Sequence, residues 1–455
     1  MLSNSSKTKQ QNLFYSPLSD MLDMNDPLIA LSNAIDWEIF ENEFSQFYSK
    51  DGSPAKPIRL MVGLLILKQL ENLSDESIVI QWKRNPYYQY FCGYNEMQLC
   101  EPCHSTQLVK FRQRIGKEGM ELIFKVSVQL HGNKAEEKEV LIDTTVQEKN
   151  ITYPTDGKLA IKMIHHLHKI GKKEQLNLRR TFVKEIKEHR INLRFFKHPK
   201  KIKKARSSIK RLRTIVGILI RDISRNLKQD KLSNYTNTFD LFDKVRNQQI
   251  KDSNKVLSLH ETHVYAITKG KDHKKYEYGT KASIVATKDS GVIVGVASHS
   301  KNEHDSKTLE AALISANKTR TTAIKEVICD RGYRGIKEVL GTIISIPGTT
   351  LKKDTEYQKQ QKRDKFKRRA AIEPIIGHLK SDFRLARNYL KGFIGDQINL
   401  LLAATAWNLK KWMNIYFFAI ISGEMKLLLE SIKQIKLYNQ IFLQLIVIKL
   451  IFIHS

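Results

Sequence analysis

Cysteine is scarce: the 455-residue chain has four, too few for a disulfide framework, as expected of a reducing cytoplasm. The N-terminus lacks an apolar h-region; it opens with Ser3, Asn4, Ser5, Ser6 and Lys7, which excludes an evident secretory signal. Long hydrophobic runs are missing too. The apolar stretches at 416–422 and 441–453 fall short of the ~18 residues a membrane span needs, and Lys449 interrupts the second. No internal repeat or low-complexity block stands out. Acidic residues are also few, 47 Asp and Glu against 77 Lys and Arg, giving a net charge of +30 and a pI near 9.7.

That charge is what the sequence has in excess. It repels itself in a compact fold, so it points to a polyanionic partner, nucleic acid ahead of an anionic membrane surface. Hydrophobic content of 41% and charged content of 27% are those of a globular protein, and the length allows two or three domains.

Residues 1–26 read as loose. From 27 to about 131 apolar residues recur at helical spacing. The run Met61, Leu64, Leu65, Leu67 closes before Asn72; Ser74 then reads as an N-cap with Asp75 and Glu76 in the first turn. A further helix from Ser105–Thr106 carries Lys110, Arg112 and Arg114. Short helices with cations on the last suit a helix-turn-helix-like DNA reader; a helical dimerisation domain is the alternative. Cys100 and Cys103, with His104 beside them, invite a zinc site, but no second ligand pair follows at finger-like spacing and packing or surface thiols fit better.

At Glu139 the period changes. Residues 140–146 read as a buried strand holding Asp143. Residues 158–213 contain twenty Lys or Arg and three acids, with helical patterning that predicts an inserted basic hairpin; Lys200, Lys201, Lys203 and Lys204 are its candidate phosphate contacts. His165, His166 and His168 lie here and read as surface or packing histidines. Strands follow at 263–268, 282–287 and 292–298, the last two forming a hairpin about Asp289-Ser290-Gly291. A helix at 305–316 is capped by Asp305, a strand runs into Asp330, Gly335 opens a short helix, 342–346 is a strand, and a strongly basic stretch leads to Glu373. Asp156 reads as a turn residue, and Glu303 and Asp382 as solvated.

A mixed sheet with helices on both faces satisfies this order. Acids from two neighbouring strand ends and a covering helix can converge. Three such carboxylates repel unless they hold divalent cations, for which hard oxygens select Mg²⁺ or Mn²⁺. Two ions about 4 Å apart support in-line phosphoryl displacement.

Leu141-Ile142-Asp143, Cys329-Asp330-Arg331-Gly332-Tyr333 and Arg369-x3-Glu373-x6-Lys380 together resemble the DDE transposases of bacterial insertion sequences, in particular the fifth insertion-sequence family, over residues 27–412. The broader clan's helix signature is Tyr-x2-Arg-x3-Glu-x6-Lys; Phe366 stands here in place of the Tyr. On one straight helix Phe366, Arg369, Glu373 and Lys380 fall within about 60° of each other. Pro374 disturbs that helix, which either starts there or kinks.

The resemblance implies an α/β fold: a ribonuclease H-like catalytic core at 136–412, interrupted by the basic helical insertion at about 158–255 and preceded by the all-α domain at 27–135. It implies a catalytic, metal-holding trio of Asp143, Asp330 and Glu373 with two Mg²⁺ (or Mn²⁺), and DNA contacts from Arg369 and Lys380. The partners it implies are terminal inverted repeats, target DNA and further copies of the chain, in the bacterial cytoplasm at the nucleoid, with no membrane. A non-catalytic DNA-binding descendant and a nuclease acting on RNA–DNA hybrids are the competing readings. The 413–455 tail departs from the family pattern and reads as an added helix pair, an oligomer contact or read-through.

Overall fold

The computed structural model describes residues 16–49, 54–249, 251–271, 274–346, 348, 351 and 353–453; the side chains of 269–274, 366 and 424–455 lie outside the description. Seven strands form one sheet: β1 (Glu139–Glu148), β2 (Tyr265–Lys271), β3 (Lys274–Thr287), β4 (Ile293–His299), β5 (Glu326–Ile328), β6 (Glu338–Val339) and β7 (Thr342–Ser345). Their order is β2-β3-β1-β5-β7-β6, with β4 also on β3. β1 is central, antiparallel to β3 and parallel to β5, which is parallel to β7.

Both faces of β1 are covered at its start, which explains the unbroken apolar run Val140-Leu141-Ile142. Alternate side chains leave opposite faces. Val140 and Ile142 enter the main core, whereas Leu141 packs with Ile328 under Ile372 and Ile376. The helix Asp305–Thr319 packs against β3 and β4. The result is a ribonuclease H-like α/β core with a helical N-terminal part.

The N-terminal helices include Ile58–Leu70, Asp75–Arg84 and Ser105–Gln129. Ser74 caps the second as its sequence predicts, accepting from Ser77 N–H at 3.0 Å. The third breaks at Gly116 (φ 59°), a conformation only glycine adopts at little cost. The first and third pack on the long helix Gly392–Ile453, and the apolar residues of all three merge with those of the sheet into one cluster. Gln69 Nε2 donates to the Phe383 carbonyl at 2.6 Å across the same junction.

The insertion between β1 and β2 has a separate apolar cluster. It is larger than a hairpin, with helices Asp156–Lys173, Val183–Leu193, Ile202–Asn226 and Thr236–Asn247. Three further expectations change. Asp156 is no turn residue: Thr155 caps the helix that Asp156 begins, and Asp156 pairs with Arg213 at 2.8 Å. Gly335 (φ 96°) opens no helix but ends a turn that leads into β6. The tail continues the helix begun at Gly392 instead of forming a pair.

Candidate active site

Register brings the two aspartates together. Leu141 of β1 faces Ile328 of the parallel β5; Asp143 and Asp330 each lie two residues further on, at equivalent positions of adjacent chains. Asp143 shares the face of Leu141, the face covered by the helix Ile372–Ser381. That helix carries Glu373 in its first turn, immediately after Ile372 anchors it to the sheet. It is separate from the preceding helix Glu356–Ala370, with Ala371 between. Pro374 is therefore tolerated, since first-turn N–H groups have no helical partner to lose. Ala371 keeps near-helical angles (φ −62°, ψ −19°), so Arg369 still meets Glu373 at the i,i+4 spacing; the side chain of Phe366 is not described.

One cation joins the three acids. Arg369, in the last turn of the preceding helix, directs Nη1 to Glu373 Oε1 at 2.9 Å and Nη2 to Asp143 Oδ2 at 3.4 Å and Asp330 Oδ2 at 3.8 Å. Among the described residues no three His, Cys, Asp or Glu side chains are arranged to hold a metal ion. The Arg369 guanidinium lies among these carboxylates and offsets their mutual repulsion. A hard-oxygen donor set gathered around one positive charge fits a divalent cation. The structure thus turns Arg369 toward the acids, where the resemblance implied a DNA contact. Lys380 is half-buried in the last turn of the Glu373 helix.

Burial, with Asp330 and Asp143 nearby, pushes the Cys329 thiol up to about 12, so it stays a neutral packing group. Tyr333, fully buried, is raised by burial with Asp305 and Asp143 close by. Around Asp143 stands a relay that the sequence reading missed. Thr144 N–H donates to Asp143 Oδ1 at 2.7 Å, Thr144 Oγ1 donates to Asp305 Oδ1 at 2.9 Å, and Lys281 Nζ lies 3.0 Å from that oxygen. Asp305 is not the helix cap; His304 is, accepting from Ser306 N–H. A Cβ on Gly332 would lie 2.9 Å from Asp330 Oδ1 and 3.0 Å from Asp305 Oδ2, so glycine lets both carboxylates approach. A Thr after the acid and a Lys on the paired strand were the available signals, but each is common alone.

The basic residues divide. Lys110 and Arg114 are exposed, Arg114 over the Tyr48 ring at 4.3 Å. Arg112 is buried and paired with Asp75, which Lys68 also contacts at 2.8 Å. Burial opposes the Asp75 charge, but the Arg112 hydrogen bonds and Lys68 prevail and hold it at about 2. Arg112 therefore ties helices together and does not face DNA with its neighbours. Lys200, Lys201, Lys203 and Lys204 are all exposed. Cys100 is exposed and Cys103 buried, neither in a disulfide. His166 packs edge-on against Phe242. Glu303 and Asp382 are exposed as expected, Asp382 pairing with His378 at 2.8 Å.

A ribonuclease H-like sheet that gathers carboxylates from adjacent parallel strands and a covering helix defines a phosphoryl-transfer enzyme. Residues 16–114 match the family model described as Transposase domain (DUF772), and residues 254–409 match Transposase DDE domain, a stretch that includes Asp330 and Glu373. A similar curated protein is "Uncharacterized protein ORF8 in nfe locus" of Rhizobium meliloti, 36% identical over 194 residues, which are 42% of this chain and 94% of that protein. No solved structure matches. The chain belongs to the DDE transposases of insertion sequences. Transposases act on DNA, and this family works with divalent metal ions. No helix among the described residues is long and apolar enough to cross a membrane.

Proposed function

We propose that this transposase binds the terminal inverted repeats of its insertion sequence, cleaves DNA at the element ends and joins the freed 3′-hydroxyls to target DNA. The observation that carries this reading is the convergence of Asp143, Asp330 and Glu373 on the Arg369 guanidinium. Those carboxylates would hold the Mg²⁺ (or Mn²⁺) ions, two by the resemblance. Bound there, the metal supplies Lewis-acid stabilisation of the attacking and leaving oxygens. Arg369 neutralises the acids in the free enzyme and turns to the scissile strand's phosphates when metal and DNA arrive. Thr144, fixed by Asp305 and Lys281, keeps the Asp143 carboxylate aimed. Assembly as a dimer or larger complex on paired ends, in the cytoplasm at the nucleoid, completes the proposal.

Two tests arise here. Thr144→Val removes the hydroxyl held by Asp305 while keeping shape. It should lower the cleavage rate about tenfold to a hundredfold and raise the Mg²⁺ concentration needed, with DNA affinity unchanged; Thr144→Ser should restore both. An unaltered metal requirement in the Val variant would remove Thr144 from the site.

The second concerns end recognition, which this reading gives to the exposed face of the Ser105–Gln129 helix. Replacing Lys110 and Arg114 by Gln should cost about 1–3 kcal/mol for each lost base contact and narrow the preference for end over scrambled DNA in competition binding. An equal loss on both DNAs would make them phosphate contacts.

A further inference from the structure

The insertion holds an open cavity of about 350 Å³ lined by Arg206, Lys210, Arg213, Arg221 and Arg246, with few apolar neighbours. Four of these cations come from the helix Ile202–Asn226, at intervals of four, three and eight residues. That spacing keeps them on one face for about 22 Å at 1.5 Å per residue. Its other face, including Leu212, Ile215, Leu219 and Ile223, is buried in the insertion's own core. The stripe is thus held rigidly in place.

Among the described residues, two of the five cations have a carboxylate partner. Arg213 pairs with Asp156 at 2.8 Å and Arg246 with Asp243 at 2.9 Å. Arg206, Lys210 and Arg221 are exposed and, among the described residues, form no salt bridge. Gly217 falls in the middle of the stripe, where a Cβ would lie 2.3 Å from Arg246 Nη1. Its missing side chain is what lets the neighbouring helix's guanidinium lie across this face.

We propose that this cavity is a binding site for the phosphates of duplex DNA, distinct from the exposed Lys200–Lys204 cluster at the start of the same helix. Duplex DNA carries a phosphate about every 3.4 Å per strand, so a 22 Å line of fixed cations spans several. The inference rests on the transposase reading for its partner and deepens it by locating sequence-independent DNA contacts on the insertion.

The test is duplex binding by the full chain across a salt series, using random-sequence DNA and, as a second arm, inorganic phosphate as competitor. Replacing Arg206, Lys210 and Arg221 by Gln should lower the salt slope by about 3, one per lost phosphate contact, and weaken all sequences alike. Gly217→Ala is the sharper variant. It leaves net charge unchanged and favours the helix, but displaces the Arg246 guanidinium, and should lower the slope by about 1. Millimolar phosphate should compete only weakly, because each phosphate ion fills one position of the stripe. Wild-type slopes in both variants, with helix content intact by circular dichroism, would overturn the inference. Cleavage by the same variants at low salt is read separately. If it survives while the slopes stay wild-type, the cavity proposal fails and the transposase reading stands.

Discussion

Asp143→Asn, Asp330→Asn and Glu373→Gln should each reduce metal-dependent cleavage about a thousandfold or more and leave DNA binding within about twofold. Each substitution keeps volume and removes one negative charge from a centre where three carboxylates face one guanidinium. Loss of one ligand mis-sets the cation, and with it the attacking and leaving oxygens; deleting a single electrostatic contact to a transition state already costs about 10² to 10³ in rate. The three effects should not add, because the acids act as a unit. Gel analysis of nicked end-labelled DNA over a time course measures this. Near-wild-type cleavage by any one variant would remove that residue from the site.

The largest effect on stability should come from a site with no role in chemistry. Lys149, just past β1, is buried with its ammonium 2.6 Å from Asp396 Oδ1 and 3.4 Å from Glu261 Oε2. Asp396 also accepts from Asn388 Nδ2 at 2.6 Å and contacts His263 Nε2 at 2.9 Å. The knot joins the end of the central strand to the helix Gly392–Ile453 and to the chain entering β2. Its Lys149, Glu261 and Asp396 side chains are almost fully desolvated, so removing Asp396 leaves the ammonium only the more distant Glu261 and strands the Asn388 donor. Asp396→Leu should destabilise by about 3–5 kcal/mol, a fall in melting temperature on the order of 10 °C. Glu121→Ala, which breaks the partly exposed Lys117–Glu121 pair at 3.1 Å, should cost less than about 1 kcal/mol. Comparable losses for the two variants in thermal melts would deny the buried knot its structural role.

What the sequence disclosed follows from what each residue's own neighbourhood determines. The strand at Val140-Leu141-Ile142, the Ser74 cap and the hairpin about Gly291 are local patterns, and each appears in the fold. The buried state of Arg112 was not legible, because its partner Asp75 is 37 residues away and helical spacing alone does not reveal which face turns inward. Asp305 looked like a helix cap because acids favour that place; its actual partner, Thr144, is 161 residues away. Arg369 was recognised as important but assigned outward. Its contact with Asp143 spans 226 residues and could not be read from helical spacing. Gly217 and the cavity beside it were invisible, since they depend on how two helices of the insertion pack.

The central claim is that Asp143, Asp330 and Glu373 form a metal-dependent DNA-cutting site. The most direct measurement incubates the full chain with end-labelled DNA carrying the element's ends and flanking sequence, in Mg²⁺ or in EDTA. Nicks that expose 3′-hydroxyls at the element ends are expected in Mg²⁺, and intact DNA in EDTA. Equal cleavage in the two, or none at the ends in Mg²⁺ despite specific binding there, would contradict it.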